Sequence, residues 1–160
     1  MILINFGGVI AGESQVTGHE KWINVGSMQW GVGRAISPVA GGSDRDTSNP
    51  SFSEVTFSHS MDVSSAELFA QACGGKKICD KMEVHFIQTA GEASGQYYLK
   101  VHFYDPLVSS YSQSSGGERP EESFSVSFTK MEMQYDKYDK SGSKTEGTMK
   151  GWDLAVNAYT

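Results

Sequence analysis

The sequence predicts a mainly β protein: a β-barrel of antiparallel strands with one short flanking α-helix. First, polar and apolar residues alternate strictly over 123–128, the period of a strand with one buried and one solvated face. Second, segments 80–89 and 96–105 form a hairpin in which, with Phe86 opposite Leu99, one register sorts both strands into an apolar and a polar face. Third, the 18 glycines and many serines are typical of a turn-rich β protein.

The first part of the chain alternates between short strands and loops. Residues 2–6 and 21–30 have the apolar and aromatic content of strands, and Gly26 marks a bend or a bulge in the second. Residues 31–51 have no sustained periodicity and are rich in Gly, Pro, Ser and Asp, which predicts a long extended loop. Residues 53–59 again alternate as a strand does.

A helix is predicted at about 64–73. Ser64 and Glu67 have the spacing of a capping box, in which each side chain binds the backbone of the other residue. Gly74 and Gly75 follow and end the helix.

The second part of the chain contains the hairpin, a strand at 107–112, and one long strand at 123–135. In that long strand the apolar parity switches after Phe128, so we expect a bulge near Thr129–Lys130. A polar connection leads to a last strand at 151–159, whose Trp152, Leu154 and Val156 are predicted to share one face.

Composition and charge limit the classes of function. A chain of 160 residues with 38% hydrophobic residues has the size of one domain, 1–160. The formal net charge of -6 argues against nucleic acid as a partner, because phosphate binding requires a cationic surface.

The sequence contains no pattern for export or membrane insertion. The apolar opening lacks a basic region and is interrupted by glycines, so it indicates a strand rather than a signal peptide. No apolar stretch reaches the roughly 20 residues of a membrane span. A chain made in the cytoplasm favours free thiols for Cys73 and Cys79.

Patterns for catalysis and cofactor binding are incomplete. No serine occupies a GxSxG elbow, and the glycine pairs complete no phosphate-binding loop. Cys73 falls at the end of the predicted helix, where the dipole disfavours a thiolate. We therefore predict no enzymatic activity, no catalytic residue and no cofactor.

The hairpin register brings together the one group of metal-ligand types, Glu83, His85 and His102. Lys100 lies in the same cluster and opposes a cation, and exposed cross-strand pairs of these types are common. The sequence therefore predicts no metal site.

Four separated signatures occur in order along the chain. They are Gly12–Ser14 with His19 and Trp22–Val25; Trp30–Gly31; Leu107–Tyr111 continuing to Gly116–Glu121; and Gly151–Leu154. In this order and spacing the chain resembles, over essentially its whole length, the haemolysin-coregulated protein (Hcp) family of the bacterial type VI secretion system.

The resemblance implies a phage tail-tube-like barrel whose protomers assemble as homo-hexameric rings. These rings stack into an inner tube that carries a spike (VgrG-type) protein at its tip. A contractile sheath built on a baseplate expels this tube, and small effector proteins travel in its lumen. It also implies residence in the bacterial cytoplasm before firing and delivery outside the cell or into a target cell without a cleaved signal peptide. No nucleic acid, membrane insertion, cofactor or metal is implied.

Two polar surfaces compete for the lumen. One contains Ser114 and Ser115, whose small hydroxyls approach a partner closely; the other is the hairpin face with Glu83, His85, Lys100 and His102. Contacts between rings or subunits are expected in the 31–51 loop, at Val39, Ala40, Gly41, Gly42, Ser43 and Asp44.

The alternative is a ligand- or carbohydrate-binding β-sandwich in which Trp22, Trp30 and Trp152 form a stacking surface. Core packing is the competing interpretation of these tryptophans, because large aromatic side chains dominate cores.

Overall fold

The computed structural model describes residues 1–37, 46–89 and 95–160. Within these ranges the helix is α1 (Ser65–Gly74), and the strands are β1 (Ile2–Asn5), β2 (Ile23–Val25), β3 (Ser27–Gln29), β4 (Val32–Gly33), β5 (Ile36–Ser37), β6 (Asp46–Thr47), β7 (Ser51–Phe52), β8 (Val55–Ser60), β9 (Lys81–Ile87), β10 (Tyr97–Tyr104), β11 (Leu107–Ser114), β12 (Glu121–Ser127), β13 (Lys130–Tyr135), β14 (Lys137–Tyr138), β15 (Lys144–Thr145), β16 (Lys150–Asp153) and β17 (Ala158–Tyr159).

Two antiparallel sheets enclose one core. The larger has the order β17-β16-β13-β10-β9-β1-β2 and the smaller the order β11-β12-β8-β3. Val84 and Phe103 enter the core from the larger sheet, Phe57 and Phe124 from the smaller sheet, and Leu68 from α1. The mainly β class with one short helix is confirmed. Within the described residues the two sheets are hydrogen-bonded separately and do not close into a single barrel.

The chain passes between the sheets at Gly26, where β2 of the larger sheet is followed directly by β3 of the smaller one. The Gly26 N–H donates to the carbonyl oxygen of Ser58 at 2.7 Å. The bend or bulge predicted at this glycine is therefore a corner between sheets.

A second crossing corrects the prediction of one long bulged strand at 123–135. β12 ends at Ser127 in the smaller sheet, and β13 begins at Lys130 in the larger one. Phe128 is buried at the corner, and the Thr129 N–H donates to the carbonyl oxygen of Tyr104 at 3.0 Å. The parity switches because the core lies on the opposite side of the second sheet, so no bulge is needed.

The hairpin register is confirmed. β9 and β10 pair Phe86 with Leu99, Lys100 with His85, Val101 with Val84, His102 with Glu83, and Phe103 with Met82. The turn predicted at 90–95 falls mostly outside the described residues.

The predicted loop 31–51 is partly a β ribbon. Val32 and Gly33 of β4 pair with β7, and Ile36 and Ser37 of β5 pair with β6. The ribbon was not predictable from periodicity because each ladder is only two residues long. The predicted contact residues Val39–Asp44 lie outside the described residues.

Helix α1 lies within one residue of its prediction, but its cap differs. Ser64 makes no capping hydrogen bond of its own, and its hydroxyl donates instead to Asp62. The Asp62 carboxylate accepts the Ser64 N–H at 2.7 Å, while the Asp62 N–H donates to the Ser65 hydroxyl at 3.0 Å. Asp62 and Ser65 therefore form the reciprocal cap two residues earlier than predicted, and Gly75 ends the helix in the left-handed conformation, φ 59°.

The predicted last strand 151–159 is a hairpin of β16 and β17. The Asp153 carboxylate accepts the N–H groups of Ala155 and Val156, which turns the chain back. Val156 is therefore exposed instead of sharing a face with Trp152 and Leu154.

Cys73 and Cys79 are free thiols. Among the residues that the structure describes, no helix has the length and apolar character that a membrane crossing requires.

Candidate functional site: the outer face of the four-stranded sheet

The outer face of the smaller sheet is covered by small hydroxyl side chains. Along β8 and β12 the apolar residues enter the core, so the residues between them point outward. We call the outward set the hydroxyl face: Ser27, Gln29, Thr56, Ser58, Ser60, Leu107, Ser110, Ser112, Ser114, Glu121, Ser123, Ser125 and Ser127. Every member carries a hydroxyl except Gln29, Leu107 and Glu121.

Strand register aligns these hydroxyls in rows across the sheet. One row joins Ser112, Ser123, Ser58 and Ser27. The hydroxyls of Ser27 and Ser58 lie 2.5 Å apart, and those of Thr56 and Ser125 lie 2.9 Å apart. The face is therefore polar and made mostly of short side chains.

Two carboxylates stand at the ends of this face. Glu54, directly before β8, accepts a hydrogen bond from the Ser109 hydroxyl at 2.7 Å. Glu121, at the other end, accepts one from Ser60 at 2.5 Å. No Lys, Arg or His occupies an outward position on the described strands β3, β8, β11 and β12. Arg119, next to β12, donates to the Met61 carbonyl oxygen at 2.6 Å instead.

The structure separates the two surfaces predicted for the lumen. Ser114 ends β11 on the hydroxyl face, and Ser115 begins the next turn, where its hydroxyl donates to the Glu118 carbonyl oxygen at 2.7 Å. Glu83, His85, Lys100 and His102 belong to the larger sheet.

His85 is only 9% exposed because residues of the loop before β2 cover it. His19 Nε2 lies 2.7 Å from His85 Nδ1, and the rings of Trp22 and Tyr97 lie 4.8 and 4.5 Å from the His85 ring. Burial and then the neighbouring His19 lower the pKa of His85 to about 4. This side chain is a neutral packing element and not part of a free polar surface.

His102 is also largely buried. It lies between Glu83 and Glu132, at 3.8 and 3.7 Å, and Lys81 and Lys130 pair with those carboxylates. Burial lowers the pKa of His102, and Lys81 adds to this effect. In the described ranges, no three His, Cys, Asp or Glu side chains are placed to hold a metal ion.

A buried carboxylate lies beneath the hydroxyl face. Glu122 accepts hydrogen bonds from Tyr111 at 2.6 Å and from Ser65 of α1 at 2.8 Å. His59 Nε2 lies 2.9 Å from the same carboxylate, at ion-pair distance but not aligned for a hydrogen bond. Burial and the bond to Glu122 raise the pKa of Tyr111 to about 12. This network attaches α1 to the sheet.

One apolar row of the larger sheet extends beyond the core. Met131, Met133 and Tyr135 share a face of β13, and their exposure rises from 4% to 42% and 61%. On β9 and β10, Phe86 and Leu99 lie at the same end and are half-buried. We call Phe86, Leu99, Met133 and Tyr135 the apolar overhang.

The tryptophans do not form a common surface. Trp22 packs on His19 and His85, Trp30 against the core, and Trp152 on Tyr159. Trp22 adjoins β2 and Trp152 lies on β16, near opposite edges of the larger sheet. This arrangement does not favour a carbohydrate-stacking surface.

Sequence reasoning identified Ser114 but missed most of the hydroxyl face. The alternation at 123–128 showed one row of serines, and the same alternation is present at 55–60. Their assembly into one surface depends on the pairing of β12 with β8, which lie about two fifths of the chain apart in sequence.

Comparison with known proteins decides the family. The model of the family described as "Type VI secretion system effector, Hcp" matches residues 3–135. The chain belongs to the Hcp family. It is therefore related to the secreted tube proteins of type VI secretion, as the four sequence signatures indicated.

Solved structures agree over the full length. A type six secretion system protein matches with a TM-score of 0.90 and 26% identity, covering 99% of this chain and 98% of the other. Hcp1 from Salmonella typhimurium matches with a TM-score of 0.76 and 25% identity, covering 99% and 97%. A type VI secretion system effector from Yersinia pestis matches with a TM-score of 0.71 and 25% identity, covering 96% and 99%. No curated protein sequence matches the chain significantly.

Proposed function

We propose that this Hcp protein is a structural subunit of the type VI secretion tube. Its protomers form hexameric rings, the rings stack into the inner tube, and the hydroxyl face lines a lumen that holds small effector proteins. It has no catalytic role. A contractile sheath, a baseplate and a VgrG-type spike are its partners in the assembled system, and the tube passes from the cytoplasm to the outside or into a target cell.

The observation that carries this proposal is the pair of open edges of the smaller sheet. In the part of the chain that the structure describes, β11 and β3 each pair with a strand on one side only. β11 is eight residues long and contains no charge and no proline, the usual protections of an exposed edge. Pairing β11 of one protomer with β3 of the next is a heterologous contact that closes a ring when the rotation fits.

The apolar overhang supports a second subunit contact. The apolar row on β13 continues from the core to the solvent, so a neighbouring subunit could cover its exposed end. Met133 and Tyr135 together leave roughly 200 Å² uncovered, and burying that area contributes about 5 kcal/mol per contact as an upper estimate. Residues 39–44 remain a proposed contact between rings or subunits.

The hydroxyl face suits a channel wall. Short hydroxyls donate and accept hydrogen bonds without a fixed charge, so they tolerate varied cargo. Ser114 and Ser115 are the proposed cargo-adjacent residues. Our proposal does not place the second polar set, Glu83, His85, Lys100 and His102, in the lumen. These residues belong to the larger sheet, the two histidines are buried, and Glu83 pairs with Lys81.

Native mass spectrometry and negative-stain electron microscopy of the purified protein test the assembly. We expect six-fold rings for the wild type. The double variant Met133→Glu and Tyr135→Lys should remain folded and shift to protomers. Val9→Glu with Val156→Lys is the matched control, because those side chains are similarly exposed, at 55% and 70%, but lie in turns outside the smaller sheet and the apolar overhang. A monomeric wild type would contradict the proposal.

Cargo retention is tested separately. Replacing Ser114 and Ser115 by Arg should reduce the effector that co-purifies with the rings while the rings persist. Unchanged retention would count against these two residues as cargo-adjacent.

A further inference from the structure

We propose that the hydroxyl face selects its cargo by charge: it binds proteins through surface segments rich in small polar and basic residues, and it disfavours acidic ones. This inference rests on the proposed function, because it requires the face to line a channel.

The hydroxyl face carries an unbalanced set of charges. Its fixed charges are the carboxylates at its two ends, Glu54 and Glu121, and its outward positions on the described strands carry no cation. Both carboxylates are exposed, and among the described residues each accepts a hydrogen bond from one serine, which leaves acceptor capacity for an incoming ammonium or guanidinium group. The nearby Arg119 is directed to the Met61 carbonyl oxygen and to Glu13, so it does not neutralise Glu121.

The two carboxylates lie at opposite ends of the face. Glu54 precedes β8 and Glu121 pairs with the last residue of β8, Ser60. Six residues of strand separate the two ends, roughly 20 Å. In a closed ring of identical subunits, each carboxylate becomes a circular band, and a neutral hydroxyl belt lies between the two bands.

Charges of one sign around a channel act together. A cleft lined by one sign of charge with low-dielectric walls focuses the field and raises the local concentration of the opposite charge. An acidic segment inside such a channel gains no pairing partner and meets repulsion, which is how a surface rejects a partner. The formal net charge of -6 for the whole chain acts in the same direction.

Each hydroxyl contributes only weakly to cargo binding. Serine side chains lose little conformational entropy on binding, and each hydrogen bond exchanged with water contributes about 1 kcal/mol or less. Several hydroxyls are already paired with each other, as in Ser27 with Ser58 and Thr56 with Ser125, so the wall is pre-ordered. The carboxylates therefore discriminate between basic and acidic cargo segments, and the serines bind weakly enough for the cargo to dissociate.

The test uses purified rings and two fluorescent twelve-residue peptides of Gly and Ser, one with four lysines and one with four glutamates. Fluorescence anisotropy at low and at 0.5 M salt measures binding. Rings of the wild type should bind the basic peptide at least about tenfold more tightly than the acidic one, and added salt should remove the difference. The variant Glu54→Gln with Glu121→Gln, which keeps the acceptors for Ser109 and Ser60, should lose the preference.

The matched control is Glu20→Gln with Glu67→Gln, which changes the net charge equally at exposed carboxylates away from the hydroxyl face. This control should keep the preference. Rings that bind both peptides equally, or an equal loss in both double variants, would overturn the charge selection while leaving the ring proposal intact. A chain that forms no rings would overturn both proposals, so the two failures are distinguishable.

Discussion

Acid should destabilise this protein through His85 before its carboxylates titrate. The folded pKa of His85 is about 4, whereas the unfolded side chain titrates near its ordinary value of 6.5. As the pH falls from 6.5, the unfolded chain takes up a proton that the folded protein refuses. The stability from a neutral His85 is therefore complete above pH 6.5, declines between pH 6.5 and 4, and changes no further below that window.

The size of this effect follows from the shift. The difference between a pKa of 6.5 and one of about 4 corresponds to at most about 3.4 kcal/mol, and partial access of water reduces this to roughly 2 kcal/mol. The groups that surround His85 are His19 from the covering loop, Glu83 from its own strand, and Lys100 and His102 from β10. A proton added to His85 finds no acceptor among the described residues, because its Nε2 is buried without a hydrogen-bond partner there and its Nδ1 lies against His19 Nε2.

Urea unfolding followed by circular dichroism at pH 7.0, 6.0, 5.0 and 4.5 measures the effect. The variant His85→Gln removes the titration, so its free energy of unfolding should fall less steeply over this range than that of the wild type. His102 also has a lowered pKa and is present in both proteins, so most of its contribution cancels in the difference. Parallel pH profiles for the wild type and His85→Gln would refute the reasoning.

Three further changes have defined outcomes. Glu122→Ala should lower the free energy of unfolding in urea by about 3–5 kcal/mol, because it leaves Ser65 and the other buried partners of Glu122 unpaired. The backbone amides of α1 should then exchange hydrogen faster. Glu122→Gln should lower the free energy of unfolding by less. Asp136→Asn removes the ion pair with Lys144 and should cost about 1–3 kcal/mol at pH 7; the difference should shrink as the pH falls below 4, because the folded pKa of Asp136 is lowered. Deleting residues 39–47 should leave folded protomers but impair tube growth, and wild-type-like tubes by electron microscopy would contradict this.

The hairpin register from Phe86–Leu99 to Met82–Phe103 was predictable because its information is local, whereas the irregularity between Tyr97 and Leu99 was not predicted. Two adjacent strands with strict alternation admit one register that buries Val84, Val101 and Phe103 together, and the structure has that register. The helix at 64–73 was predictable for the same reason. Its cap was misassigned because Asp62 and Ser65 also have the i, i+3 spacing that a capping box requires.

Features that depend on distant segments were not predictable. The parity switch after Phe128 was visible, but a bulge and a crossing between sheets leave the same pattern in the sequence. The burial of His85 depends on His19, which lies 66 residues away in a loop without periodicity. The hydroxyl face likewise required the pairing of β3, β8, β11 and β12.

The central claim is that the hydroxyl face lines the channel of a six-fold ring, and a cryo-electron microscopy map of assembled rings tests it most directly. We expect the side chains of Thr56, Ser58, Ser123 and Ser125 to face the channel, with Glu54 and Glu121 at its two ends. A ring in which these side chains face the outer wall, or in which β11 and β3 of neighbouring protomers do not meet, would contradict it.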